Sequence, residues 1–125
     1  MAIAMVSALK DVCLTAIGAH LSGGFLELQA SNNAEIATLG LSSGSGNAIN
    51  TVTGTGSSTY KTLINDSSAT GGVVTKFEVN TSGDAQRYTG TVTSISTGTG
   101  DLLIASTTIA VGAVVSAGDI TVSFA

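Results

Sequence analysis

The chain has 125 residues, the size of one domain with a single apolar core. Four bases face eight acids, a net charge of −4, and Lys10, Lys61, Lys76 and Arg87 form no patch, which argues against nucleic acid as a partner. A single cysteine, Cys13, excludes an internal disulfide framework.

From Ile3 to His20 the apolar residues Ile3, Val6, Leu9, Cys13, Ala16 and Ile17 fall at helical spacing. With Val12 and Leu14 widening the stripe, this predicts one amphipathic helix within residues 1–22, stopped by Ser22-Gly23-Gly24, with its stripe on a sheet or a partner chain. Lys10 and Asp11 interrupt the apolar start well short of the ~20 residues of a membrane span, and no positive charge leads it. Neither a membrane anchor nor an export signal is expected.

After Gly24 the period changes to two. Phe25 to Ala30 and Glu35 to Leu41, separated by Ser31-Asn32-Asn33, predict a hairpin with Leu39 and Leu41 on one face. Residues 42–59 are mostly Ser, Gly, Thr and Asn and predict a long loop, functional or ordered by a neighbour. Tyr60 to Ile64 predicts a short strand. Val73 to Asn80 predicts a strand whose buried face carries Val73, Thr75, Phe77 and Val79. Ser82-Gly83-Asp84 predicts a turn, and Arg87 to Ile95 a strand with Tyr88, Gly90 and Val92 on one side. Asp101 to Ala105, Thr107 to Val111 and Ile120 to Phe124 complete the set, the last expected to pair within its own sheet.

About seven to nine short strands at this spacing, after one N-terminal helix, predict a mainly β fold: an antiparallel, jelly-roll-like β-sandwich over 24–125. Residues 1–125 are expected to form one domain.

Chemistry-bearing residues are sparse. His20, the only histidine, stands where the helix ends and suits the helix dipole. Cys13 on the apolar stripe is expected to be a buried, inert thiol. Asp66, Asp84, Asp101 and Asp119 sit in or beside turns, where aspartate bonds its own backbone. Gly44-Ser45-Gly46 and Gly54-Thr55-Gly56 lack the context of a phosphate loop. Asn65-Asp66-Ser67 and Asn80-Thr81-Ser82 match the glycosylation triplet at chance level. Tyr60 and Tyr88 are too few for a base-stacking platform and suit core-edge packing or an interface. No paired carboxylates, triad or ligand cluster can be assigned, so no catalytic, cofactor-binding or metal residue is named and the chain is expected not to be an enzyme.

The order of a helix ending in Gly-Gly, Phe25-Leu26-Glu27-Leu28 and Ala37-Thr38-Leu39-Gly40-Leu41-Ser42 resembles small virion structural proteins of tailed bacteriophages. Ala69-Thr70-Gly71-Gly72-Val73-Val74-Thr75-Lys76-Phe77-Glu78-Val79, a Gly-Asp turn, Gly90-Thr91-Val92, Gly100 to Ile104 and Thr108 to Gly112 extend the likeness over nearly all but the 42–59 loop. The resemblance implies a capsid decoration, or cement, protein, made in the host cytoplasm and placed on the outside of the phage head. Its implied partners are the major capsid protein and itself, as a dimer or trimer. The alternative is a tail-associated or adsorption protein that binds a receptor or carbohydrate.

Overall fold

The computed structural model describes residues 5–50, 56–116 and 120–123. Helix α1 spans Ser7–His20, and the strands are β1 Phe25–Gln29, β2 Glu35–Gly40, β3 Ser57–Thr59, β4 Gly72–Val73, β5 Lys76–Asn80, β6 Gln86–Ser94, β7 Leu102–Ile104, β8 Thr108–Ile109 and β9 Thr121–Ser123. The fold is mainly β with one helix, as expected. Its centre is a curled five-stranded sheet in the order β2-β1-β5-β6-β7, accompanied by the two-stranded ladders β3-β9 and β4-β8.

The β1-β2 hairpin forms as the alternation predicts, with Leu26 opposite Leu39 and Leu28 opposite Ala37. Its turn uses the expected chemistry: Asn33 adopts φ 69°, and the Ala34 N–H donates to Asn32 Oδ1 at 3.2 Å. Antiparallel pairing of β5 with β1 places Phe77 against Leu28 and Val79 against Leu26. One sheet face thus gathers Leu26, Leu28, Leu39, Phe77, Val79 and Val92, which join Leu21, Leu41, Ile49 and Tyr60 in one buried cluster. Bulges at Leu28/Gln29 and Val79/Asn80 add local twist.

Several expectations are corrected. The sheet is mixed, not wholly antiparallel, because β7 runs parallel to β6, with Val92 opposite Leu102 and Ser94 opposite Ile104. The return between them, residues 95–101, is shorter than the dozen residues of a usual crossover. It fits because the chain folds back against the edge of β6. Asp101 Oδ2 accepts from the Thr91 N–H and Oγ1 at 2.9 Å each, and the Gly100 N–H donates to Thr93 Oγ1 at 2.9 Å. A Cβ on Gly100 would stand 2.7 Å from Thr93 N.

The strand predicted over Val73 to Asn80 is broken. Val73 leaves to pair with β8, Val74 donates its N–H to the Thr107 carbonyl at 2.8 Å, and Thr75 donates to the Gln29 carbonyl at 3.0 Å. The kink reverses the phase before β5: Val73 and Thr75 are exposed and Val74 is buried, while Phe77 and Val79 are buried as expected.

Tyr60 to Ile64 is not a strand but an irregular run with bridges from Tyr60 to Ile49 and from Ile64 to Gly40. Conversely, the predicted 42–59 loop contains a 3-10 turn at Gly44–Gly46 and strand β3, which pairs with β9; residues 51–55 lie outside the described residues. The C-terminal strand therefore pairs within its own chain, but outside the five-stranded sheet.

The helix is rotated so that only part of its predicted stripe faces inward, where Ile17 packs against the core as expected. Leu14, Gly18 and Leu21 are buried, whereas Val6 is 71% exposed, Leu9 49% and Val12 65%, and Cys13 is half-buried, not buried. Gly18 sets this rotation. A Cβ there would lie 1.9 Å from Asn47 Oδ1 and 3.0 Å from Ile49 Cβ, so the bare backbone is what lets α1 close on residues 47–49. Polar contacts hold the same side: the Gly56 N–H donates to Asp11 Oδ1 at 2.7 Å, and Asn47 Nδ2 donates to the Thr15 carbonyl at 3.1 Å.

Candidate interaction surface

The C-terminal half of α1 runs beside the start of β6, and the two enclose an open groove of about 650 Å³ lined by Ala16, Ile17, His20, Leu21, Arg87 and Tyr88. Gly23, with φ 69°, and the Gly24 N–H, which donates to the Leu21 carbonyl at 2.9 Å, turn the chain sharply from α1 into β1. That turn keeps the helix end close to the sheet.

At the rim, Arg87 Nε donates to His20 Nε2 at 2.9 Å. The accepting nitrogen leaves Nδ1 to carry the ring proton. His20 does sit in the last helical turn, as expected, but its contact with a side chain 67 positions away had no sequence signal.

The groove's inner wall is aromatic. Tyr88 packs edge-to-face on Phe77, with ring centroids 6.1 Å apart, and its hydroxyl meets that of Tyr60. Tyr60 is buried and Tyr88 is 37% exposed, so the pair packs at the edge of the core, one of the two placements expected of them. Burial raises both phenols above their ordinary pKa of 10.0, and at Tyr60 the neighbouring Tyr88 adds to the rise. Gly90 makes room for this packing, since a Cβ there would stand 2.4 Å from the Phe77 ring.

Beyond the groove the exposed side of α1 continues through Val12, Leu9 and Val6. It carries no acid or base. Lys10 lies against Gly56, and Asp11 is bonded to the Gly56 amide, both toward the body of the protein. The exposed side of the helix and the groove therefore form one mainly apolar surface, joined at Ala16, with His20 and Arg87 at the groove's rim.

Asp66 and Asp101 have structural partners beyond the local turns expected of them. Asp66 Oδ2 accepts from the Thr38 N–H at the edge of β2, Oδ1 accepts from the Ser68 N–H, each at 2.9 Å, and its backbone pairs with Val115. Asp101 is held below the usual carboxylate range by the Thr91 amide and hydroxyl. Asp84 accepts from Asn80 Nδ2 at 3.1 Å, and Asp119 lies outside the described residues.

One carboxylate pairing escaped the sequence. Glu27 and Glu78 face each other across β1 and β5, and Gln29 Nε2 donates to both at 3.0 Å. Finding it required the register, which alternation within each strand does not supply. Among the described residues no group of three or more His, Cys, Asp or Glu is placed to hold a metal. No described helix is long and apolar enough to cross a membrane.

Comparisons with family models, curated proteins and solved structures find no match.

Proposed function

We propose that this chain is a non-enzymatic virion structural protein of the decoration type, binding the major capsid protein and further copies of itself on the outside of a phage head and tying capsid subunits together. The mainly apolar surface running from Val6 along α1 to Tyr88 carries this reading. Contiguous apolar exposure is characteristic of an interaction site, and a chain with 10% charged residues has little else to keep such a face in water. The resemblance supplies the kind of particle.

The reading is also supported by what the polar side chains do. His20, Asp66, Asp101 and Glu78 each join segments distant in sequence or register. Many modest contacts repeated by symmetry make a strong network without any single tight site. On the same proposal the ladders β3-β9 and β4-β8 act as the second layer of a sandwich over the inner face of the five-stranded sheet.

A tail or adsorption role draws on one observation: Tyr88 stands partly exposed beside His20 and Arg87, an aromatic face next to polar groups of the kind that receives a sugar ring. Cosedimentation of the purified protein with heads and, separately, with tails of the same particle separates the two. Saturable binding to heads is expected. Binding to tails alone would remove the decoration role and leave the adsorption one.

A further inference from the structure

We propose that α1 packs antiparallel against α1 of a second copy, on a two-fold axis passing beside Cys13. Val6, Leu9, Cys13, Ala16 and His20 are spaced 3, 4, 3 and 4 apart, the period of a seam between two helices, and this seam is turned away from the chain's own core. The spacing selects a helix as the occupant.

Three further observations select a second copy and its direction. The exposed face carries no acid, and its basic groups, His20 with Arg87 beside it, stand at one end only, so an antiparallel pair keeps the bases of the two copies apart. Its two ends differ. The N-terminal half presents the protruding side chains of Val6, Leu9 and Val12, while the C-terminal half presents Ala16 and Ala19 beside the 650 Å³ groove. An antiparallel pair centred on Cys13 sets Leu9 opposite Ile17 and Val6 opposite His20 of the other copy, so each copy's protruding end enters the other's groove. A parallel pair would set groove against groove.

The area a stable interface needs points the same way. A helix of 14 residues is only about 21 Å long, and its stripe alone falls short of the ~800 Å² per partner of a stable interface. Ala16, Ile17 and His20 belong to both the helix and the groove, and Tyr88 extends the surface onto the sheet. Antiparallel docking buries both parts at once, as an isologous two-fold requires.

This inference shares with the functional proposal only the premise that copies associate, and it is tested on the free protein. Sedimentation equilibrium is expected to give twice the monomer mass, and copper-phenanthroline oxidation a reducible dimer through Cys13. Leu9→Glu places a charge in the seam, and Ala16→Trp fills the groove; both positions are exposed in the monomer, so the fold is retained by circular dichroism. Each is expected to weaken dimerisation at least roughly tenfold and to abolish the cross-link. A monomeric wild-type protein, or a dimer and cross-link indifferent to both substitutions, would overturn the seam. Head binding by the monomeric variants would leave the decoration role intact, and a seam-dependent dimer that binds no head would leave the seam intact.

Discussion

Single residues here act mainly through contacts that their type alone would not suggest. Glycine inside a helix ordinarily costs about 1 kcal/mol relative to alanine. At Gly18 the sign is expected to reverse: the added methyl displaces Asn47 or Ile49, and Gly18→Ala should lower stability by about 1–2 kcal/mol in urea unfolding. A gain in stability would contradict the proposed role of Gly18 in seating α1. Asp66 is a second such position, because one side chain serves both the edge of β2 and the 66–68 turn. Asp66→Ala should cost about 2 kcal/mol, and Asp66→Asn, which keeps one acceptor, should recover less than half of it; a neutral Asp66→Ala would show the Thr38 amide content with water. The tyrosine pair gives a pH prediction. Both phenols are raised above 10.0, so the folded state keeps protons that the unfolded chain releases. Their contribution is therefore complete below pH 10.0 and is lost as pH rises above it. Near-ultraviolet phenolate absorbance should appear together with loss of the circular dichroism of the fold. Ionisation of Tyr60 at its ordinary pH in an intact fold would contradict the buried pair.

At the scale of elements, β7 depends on the fold-back at 95–101 more than on its own three residues. Gly100→Ala should push the return path off Thr93 and speed amide exchange at the β6-β7 edge, read at Ile95, whose N–H donates to the Ile104 carbonyl at 2.9 Å. Unchanged exchange there would mean that the fold-back absorbs the methyl without moving β7. What was legible in the sequence was what is local. The β1-β2 hairpin follows from the alternation of Leu26 and Leu28 and from the turn chemistry of Asn32 and Asn33, and the buried face of β5 follows from Phe77 and Val79. The parallel β7 was not legible, because an aspartate side chain and a glycine replace the longer crossover that parallel pairing usually needs. Nor was the orientation of α1. The spacing of Val6, Leu9, Cys13 and Ala16 is real, but close approach at Gly18 decides which side meets the core, and a count of apolar residues cannot see a missing Cβ. Of the candidate surface, the helix stripe could be read from the sequence. The groove could not, since Arg87 and Tyr88 reach it only through the sheet.

For the whole molecule, the distribution of charge and apolar surface is the property that matters to function. The acids and bases hold segments together or sit singly, and the large apolar side chains left outside lie along α1, where they meet the groove, and also at Ile64, Val73, Ile95, Leu103, Val111 and Val114. Apolar side chains exposed in more than one place suit the proposed unit, which contacts both its own copies and a shell protein. A shell bound by such units is stabilised by mass action, because the ligand binds the assembled state and not the disassembled one. The most direct measurement is the temperature at which phage heads stripped of this protein come apart, followed as purified protein is added back. The account predicts a rise that saturates with occupancy, larger for the wild-type protein than for Leu9→Glu; a disruption temperature that stays constant while the protein is bound would contradict a role in holding the shell together.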